Sequence, residues 1–430
     1  MSVLSKFRTI PYNCYEIAHP TVESCADLSL NALTAAFRRS ITLYGTIFII
    51  QRVISGRFGW ADILRTIPKA LQSSMFVTVN IYLFISLTCQ QSRILKKFSL
   101  MTPLNSALLS SLLAIHLEVP ARRRLLAVYM MDIATETAYE SMCLHTNFKP
   151  IPYFPVFLYA ASMAAHFHRA TSSRDLLVRG LGFLIGQRSD HSIDSQPAVE
   201  TQAAPGLWAS LKARLSPSSH DCTSNSCVHH AARSGIRGLV SGYLLSVIIS
   251  LPGLLRGSSP NKESAIRLGA FLAVTSAGTS GIQCLLQKSS LCRTSLSAKT
   301  RLTIAVFVSS LSIAIYPSRR IALHIFWRTL ASYLKFDSVP YPLPEATYAI
   351  CCAALAFFVV YEPQTLRKSY LKSLDQLSGD CLSKINRHPL EAYSGCHSSK
   401  LYPEFFPMKE LKLSRVSPKF IEQVLIWSVR

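Results

Sequence analysis

The chain has 430 residues, of which 49% are hydrophobic and only 16% are charged, and its formal net charge at pH 7 is +22. Soluble domains carry about 25% charged residues, so this composition excludes a disordered acidic tail, a collagen and a small disulfide-stabilised scaffold. Two classes are compatible with it: a basic nucleic-acid-binding protein and a membrane protein with basic loops.

Uncharged stretches of the sequence distinguish these two classes. Eight windows contain no Asp, Glu, Lys or Arg, and six of them reach the length of about 17–25 helical residues that crosses a hydrocarbon core of about 30 Å. A large soluble helical protein is the weaker alternative, because its buried helices rarely run uncharged for so long. In chain order the windows are Ser40–Gln51, Ala70–Ser92, Phe98–Leu117, Pro150–His168, Gly238–Leu255, Leu268–Gln287, Leu302–Ser318 and Ala346–Tyr361.

The first and last windows depend on their flanking residues. The first crosses a membrane only if its helix begins near Leu28 and if Arg38 and Arg39 reach the headgroups or face protein. The last is one residue short, and Glu345 and Glu362 at its ends could lie at headgroup level. With these conditions, the sequence predicts an all-α polytopic integral membrane protein.

Basic residues border the windows, which suits contact with anionic lipid headgroups. Because they border nearly every window on both sides, the orientation of the chain in the membrane is left open. No zinc-finger spacing and no basic groove with interleaved aromatic residues is present, so membrane lipids are expected as partners and nucleic acid is not. Examples are Arg65, Arg93, Lys96, Lys97, Arg122, Arg123, Arg124, Arg256, Arg319 and Arg320.

The eight windows form one pattern of four that occurs twice. The first set begins at residues 40, 70, 98 and 150 and the second at 238, 268, 302 and 346, so the differences are 198, 198, 204 and 196 residues. A Pro-x-Arg-Arg motif after the third window recurs after the seventh, and a Pro-Tyr pair precedes the fourth and the eighth. We predict two parallel four-helix repeats, related by an axis along the membrane normal.

This repeat predicts five regions. They are a Cys-containing N-terminal segment (1–39), a first four-span repeat (40–168), an extramembrane linker containing Ser, Cys and His (169–237), a second four-span repeat (238–361) and a basic C-terminal tail (362–430). The Ser-rich, Pro-containing composition of the linker is typical of partial disorder.

Each repeat contains one further helical segment that mixes apolar and charged residues. Arg124–Met142 and Arg320–Phe336 both begin with basic residues and are expected to lie along the membrane surface. Asp132, Glu136 and Glu140 share one face of the first segment. A solvated helix face is the favoured interpretation of this stripe, and a proton relay or cation site is the alternative.

Cysteine and histidine residues cluster before the first window of each repeat. Thiolates and imidazoles are the usual ligands of zinc, and a closed site needs four. The linker offers Cys222, Cys227, His220 and His229 as the first candidate set, and the N-terminus offers Cys14, His19 and Cys25 as a second. Three readings stay open: structural zinc, a redox-active or disulfide pair, and reduced unligated thiols. Cysteines inside the windows, including Cys89 and Cys284, are expected to be small packing residues.

Small residues at helical spacing predict close helix packing. Gly238 and Gly242 form a small-xxx-small step at the start of the fifth window. No nucleotide-binding loop, nucleophile elbow or metalloprotease motif is present. We therefore expect that the protein is not an enzyme and that it has no cofactor beyond a structural zinc.

Five stretches, taken in order, resemble the transmembrane protein 135 family. They extend from about residue 11 to about residue 375. The stretches are Pro11–Ile17, the region from Met101–Pro103 to Ala134–Thr137, Arg267–Leu272, Val339–Tyr341 and Gln364–Tyr370. The resemblance also implies a cysteine-rich N-terminus and middle segment, although the middle segment here has fewer cysteines than the family pattern.

The resemblance implies a multi-pass membrane protein of the peroxisome and/or the mitochondrion. Its implied role is the regulation of the mitochondrial fission/fusion balance and of peroxisome organisation or lipid homeostasis. Cytosolic fission or organelle-dynamics proteins are the implied partners, and an oligomer is left open. The alternative function is a transporter or translocation channel for a lipid or metabolite. Ion coupling is disfavoured, because the windows carry no charge.

Overall fold

The computed structural model describes residues 9–54, 64–146, 149–169, 176–185, 227–254, 262–334, 342–394 and 412–422. Nearly all regular structure in these ranges is helical, which confirms the predicted all-α class. In chain order the helices are α1 (Cys14–Ile17), α2 (Cys25–Ile54), α3 (Ile67–Leu95), α4 (Thr102–Ala114), α5 (Pro120–His145), α6 (Phe154–Arg169), α7 (Leu176–Ile185), α8 (Cys227–Leu254), α9 (Lys262–Lys288), α10 (Ser290–Ser295), α11 (Ala298–Ser310), α12 (Arg319–Tyr333), α13 (Leu343–Tyr361), α14 (Lys368–Leu377), α15 (Arg387–Ser394) and α16 (Pro418–Phe420).

Short non-α elements complete the described regular structure. Strand β1 (Thr9–Ile10) pairs antiparallel with β2 (Phe98–Ser99), with Thr9 opposite Ser99. Turns of 3₁₀ helix, Ile115–Leu117 and Leu311–Ile315, extend α4 and α11. Two further 3₁₀ turns are Pro363–Thr365 and Leu413–Arg415. The β-ladder attaches the N-terminal segment to the loop between α3 and α4.

Four helices among the described residues are long and apolar enough to cross a membrane. They are α3, α9, α11 with its 3₁₀ extension, and α13, and they contain or overlap the windows that begin at residues 70, 268, 302 and 346. An all-α polytopic membrane protein is therefore confirmed. Crossing by the other four windows stays a prediction. Helix α2 begins at Cys25, before Leu28, so it meets the length condition set for the first window.

The chain forms two compact units. Unit 1 comprises Met1–Pro150 and Phe336–Arg430, and unit 2 comprises Ile151–Lys335. In unit 1, α3 packs against α2 and α4, and α13 packs against α4 and α5. In unit 2, α9 packs against α8 and α11, and α6 packs against α11 and α12.

The same order of helix contacts thus occurs in both units, which supports the internal repeat. The last helix of each repeat, however, packs in the unit formed mainly by the other repeat. Helix α6 comes from the first half of the sequence and belongs to unit 2, and α13 comes from the second half and belongs to unit 1. The five predicted regions follow the repeat along the sequence and stay a prediction.

Part of the predicted linker is helical. Helix α7 lies within it, and α8 begins at Cys227, eleven residues before the fifth window. These linker residues are helical because they pack against other helices: α7 contacts both α8 and α9. Residues 186–226 lie outside the described ranges.

Unit 2 is held by close backbone approach and by hydroxyl pairs. A Cβ on Gly242 would come within 2.8 Å of the Gly269 Cα, and one on Gly238 would collide with the carbonyl of Leu272. The small-xxx-small prediction is therefore confirmed as the α8–α9 contact. The hydroxyls of Thr279 and Ser309, 2.6 Å apart, join α9 to α11.

Unit 1 instead contains buried ion pairs. The Arg367 guanidinium contacts the carboxylates of Asp132 and Glu136, and the Asp132 side chain is only 4% exposed. The expected solvated face is therefore wrong for these two residues, because the chain returns after α13 and places a cation against α5. Glu345 and Glu362 at the ends of α13 are likewise buried against protein, and their position at headgroup level stays a prediction.

These glutamates join α13 to both ends of α5. Glu345 pairs with Arg123 at 3.2 Å. Glu362 accepts a hydrogen bond from Ser141 at 2.8 Å and contacts His145. The predicted surface segments correspond to α5 and α12, although Phe336 lies outside the described residues, and their position at a membrane surface stays a prediction.

Candidate metal centre

A capping box folds the N-terminal segment. The side chain of Asn13 accepts a hydrogen bond from the Glu16 N–H at 2.9 Å, and the Glu16 carboxylate accepts one from the Asn13 N–H at 2.6 Å. These reciprocal bonds satisfy donors at the start of a helix and so define the single turn α1. Cys14 is its first residue, and His19 follows its end.

Three thiols and one imidazole meet beside this turn. The Cys14 Sγ lies 3.1 Å from the His19 Nε2 and 3.2 Å from the Cys89 Sγ. The Cys25 Sγ lies 3.3 Å from the same His19 nitrogen. All four ligand atoms lie within 4.8 Å of one another, and we call these four residues the Cys₃His cluster.

The cluster joins three separate pieces of chain. Cys14 and His19 belong to the N-terminal segment, Cys25 begins α2, and Cys89 lies near the end of α3. Apolar contacts hold these pieces together, because Leu28 and Ala32 of α2 and Ile85 of α3 form one buried cluster with Cys14 and Cys89. The thiols are therefore shielded by packing, and Cys25 is the least buried of the four.

A carbonyl group orients the imidazole. The His19 Nδ1 lies 2.8 Å from the Val22 carbonyl oxygen, so Nδ1 donates its proton to this oxygen and Nε2 is directed toward the sulfur atoms. Histidines that bind metals usually donate the second ring N–H to a carbonyl or carboxylate in this way.

The protonation states of the cluster depend on one another. Hydrogen bonds from the thiols of Cys14 and Cys89, together with His19, hold the pKa of Cys25 far below its ordinary value. The hydrogen bond with Cys25 raises the pKa of Cys14. Burial lowers the pKa of His19, but hydrogen bonds with Cys25 and Cys89 outweigh this and raise it to about 10. Without a metal, Cys25 therefore ionises more readily than Cys14.

The C-terminal segments enclose the same turn. The second oxygen of Glu16 accepts a hydrogen bond from the Ser417 N–H at 2.6 Å. Asn386 donates to the Ile17 carbonyl at 2.8 Å and to the Glu16 carbonyl at 3.1 Å. Because Glu16 is fully buried, the N–H groups of Asn13 and Ser417 that bond its carboxylate compensate the cost of removing this group from water.

The structure brings together the second set of predicted ligands, Cys14, His19 and Cys25. It adds Cys89, which the sequence predicts only as a packing residue. Of the first set, Cys227 and the exposed His229 lie in the first turn of α8, and neither belongs to the Cys₃His cluster. Cys222 and His220 lie outside the described residues, so a site built on the first set stays a prediction.

An apolar cavity in unit 1 borders the cluster. Its volume is about 280 Å³, and Cys89 lines one part of its wall. Most of the lining is apolar and comes from α3, α5, α13 and α14, including Phe76, Phe84, Met130, Leu355 and Leu374. Polar groups are few. Asn80 donates to the Tyr348 hydroxyl at 3.2 Å and accepts from Ser111 at 3.4 Å.

Of the comparisons with known proteins, one found a match to a family and another, with solved structures, found none. Residues 11–143 match the family model described as the N-terminal cysteine-rich region of Transmembrane protein 135. This range contains the whole Cys₃His cluster and confirms the resemblance seen in the sequence. No solved structure matches the chain.

Proposed function

On the premise that the chain belongs to the transmembrane protein 135 family, we propose that it regulates lipid homeostasis in an organelle membrane. The proposal includes the consequences that the family resemblance implies, namely control of the mitochondrial fission/fusion balance and of peroxisome organisation. The proposed location is the peroxisomal and/or mitochondrial membrane. Cytosolic fission or organelle-dynamics proteins are the proposed partners.

The apolar cavity of unit 1 is the observation that supports a role in lipid handling. Small-molecule sites are cavities of about 300–1,000 Å³ with apolar walls and a few polar groups that fix orientation, and the cavity approaches this range. The linked Asn80, Tyr348 and Ser111 could bind a single polar headgroup or carboxyl group, while the aromatic and aliphatic wall contacts an acyl chain. No catalytic role is proposed for these residues.

Photo-crosslinking tests whether the cavity binds lipid. The purified full-length chain would be illuminated with a fatty acid that carries a diazirine, and crosslinked peptides would be identified by mass spectrometry. Ala356, which lines the cavity, would be replaced by Trp to fill it. We expect the A356W variant to lose most crosslinking on cavity-lining peptides.

Ile350→Trp is the matched control. Ile350 lies on the same helix but is 61% exposed, so this variant places the same ring outside the cavity and should crosslink like the wild type. Equal crosslinking in A356W, I350W and the wild type would contradict lipid binding in the cavity. Alkaline carbonate extraction with peroxisomal and mitochondrial markers would test the proposed location separately.

The second candidate function is transport of a lipid or apolar metabolite, and the same cavity favours it. A transporter should move a fluorescent lipid or fatty acid across liposomes that contain only this protein. A regulator that binds lipid without moving it should show crosslinking but no flux. Flux that is lost in A356W and retained in I350W would favour the transporter.

A further inference from the structure

We propose that Cys14, His19, Cys25 and Cys89 bind one structural Zn²⁺ ion that fastens the N-terminal segment to helices α2 and α3. This proposal is independent of the proposed role in lipid handling. It concerns a metal site and its effect on the fold.

The number and type of ligands are those of a closed zinc site. Structural zinc is bound tetrahedrally by four Cys or His ligands, and Cys₃His is one of the usual sets. Zinc–sulfur bonds of about 2.3 Å and zinc–nitrogen bonds of about 2.0 Å separate the ligand atoms of a tetrahedron by about 3.4–3.8 Å. The observed separations of 3.1, 3.2 and 3.3 Å, with all four atoms within 4.8 Å, need only small movements to reach this geometry.

The surroundings of the imidazole and the compactness of the cluster support a single zinc ion. With Nδ1 donating to Val22, His19 can bind through Nε2 as a neutral ligand once that nitrogen is deprotonated. The three cysteines bind as thiolates, and the protons that the metal displaces pass to solvent. A disulfide would use only two of the thiols and would leave the imidazole unused. An iron–sulfur cluster would need ligands spread around two or more irons, whereas these four atoms surround one point.

The site would act as a cross-link. N-terminal residues before Cys25 contact the rest of unit 1 through a two-residue β-ladder, hydrogen bonds and apolar packing. A metal bound to Cys14, His19, Cys25 and Cys89 closes a loop of 76 residues, from 14 to 89. Since the binding free energy of a structural zinc is also folding free energy, removal of the metal should loosen the N-terminal segment first.

Metal analysis of ligand variants tests the proposal. The full-length chain would be purified without chelators, and zinc and iron would be measured by plasma mass spectrometry. We expect about one zinc per chain in the wild type, a loss of at least about tenfold in Cys89→Ser and His19→Ala, and retention in His19→Cys, which restores four ligands. Cys381→Ser is the matched control, because Cys381 packs against the same apolar cluster without belonging to the metal-ligand set.

A ligand variant that fails to fold would lose zinc for an unrelated reason. The accessibility of the thiols is therefore also measured in the wild-type chain. Iodoacetamide labelling would be compared before and after removal of zinc by a chelator. We expect Cys14, Cys25 and Cys89 to become reactive together when zinc is removed and to be protected again when it is returned. Wild-type protein without zinc, zinc retained in His19→Ala, iron in place of zinc, or a Cys14–Cys89 disulfide in freshly purified protein would each overturn the proposal.

Discussion

Helices α5 and α12 occupy the same place in the two units but use different chemistry. Counted from the Pro-x-Arg-Arg motif, Asp132 and Glu136 of α5 correspond to Thr329 and Tyr333 of α12. In unit 1 the two carboxylates pair with Arg367 from the segment after α13. In unit 2 the two hydroxyls donate to main-chain carbonyls of α6, Thr329 to Ser162 and Tyr333 to Ala165, both at 3.2 Å.

This difference shows how one helix arrangement can be stabilised in two ways. Unit 2 relies on neutral hydrogen bonds and on glycines that let α8 and α9 approach closely. Unit 1 uses buried charges that attach its C-terminal segment to α5, and it also contains the Cys₃His cluster and the apolar cavity. The chemistry that could bind a metal or lipid is therefore concentrated, within the described residues, in unit 1.

The largest predicted effect comes from removal of the buried cation. Arg367→Met leaves Asp132 and Glu136 buried without the cation shown here, so we expect a loss of about 3–5 kcal/mol in the free energy of unfolding. SDS-induced unfolding in mixed micelles measures this quantity. The triple variant with Asp132→Asn and Glu136→Gln should recover much of the loss. A loss below about 1 kcal/mol in Arg367→Met would contradict the proposed contrast between buried ion pairs in unit 1 and neutral hydrogen bonds in unit 2.

The next effect tests the close helix contact of unit 2. Gly242→Leu forces a side chain into the space between α8 and α9, where even a Cβ would meet Gly269 at 2.8 Å. Overpacking of this kind costs about 1–3 kcal/mol. Gly45→Ala is the control in unit 1, because a Cβ there meets nothing within 4 Å. Equal unfolding midpoints for Gly242→Leu and the wild type would contradict the close contact.

A smaller loss is expected from the neutral hydrogen bond that replaces the ion pair in unit 2. Thr329→Val removes the donor to the Ser162 carbonyl, and a neutral hydrogen bond contributes about 0.5–1.5 kcal/mol. In the control Thr347→Val, the lost hydroxyl bonds only the Leu343 carbonyl within its own helix. If both variants lose the same stability, the Thr329 bond does not hold α12 to α6.

The smallest effect belongs to an exposed ion pair. Arg267 and Glu263 are 2.5 Å apart on α9, but their side chains are 57% and 70% exposed. Glu263→Gln should therefore change the free energy of unfolding by no more than about 0.5 kcal/mol, and the same SDS titration measures it. A loss comparable to that of Arg367→Met would show that exposure does not separate the two kinds of pair.

The sequence was sufficient for features that depend on local pattern. Uncharged windows of helical length predicted the class, and the glycine step predicted the α8–α9 contact. Cys14, His19 and Cys25 lie within twelve residues, so their proximity was visible. Cys89 was not, because it lies in an apolar helix and reaches the cluster only through the packing of α3 against α2.

The other differences between the predicted and the observed structure arise from contacts between residues that are far apart in the sequence. Arg367 and Asp132 are 235 residues apart, and nothing local to Asp132, Glu136 and Glu140 distinguishes a solvated face from one covered by a distant cation. Helices α6 and α13 each belong to the unit formed mainly by the other repeat, and this too depends on contacts between distant parts of the chain. Window spacing gives the order of the helices along the chain but not which helices pack together.

The central claim is that the chemistry able to bind a metal lies in unit 1. Native mass spectrometry of the intact chain, released from detergent without chelators, tests this claim most directly. We expect a mass that exceeds that of the metal-free chain by one zinc ion less the protons it displaces. This excess should be lost in His19→Ala and kept in His19→Cys. A metal-free wild-type chain, or zinc that persists in His19→Ala, would contradict it.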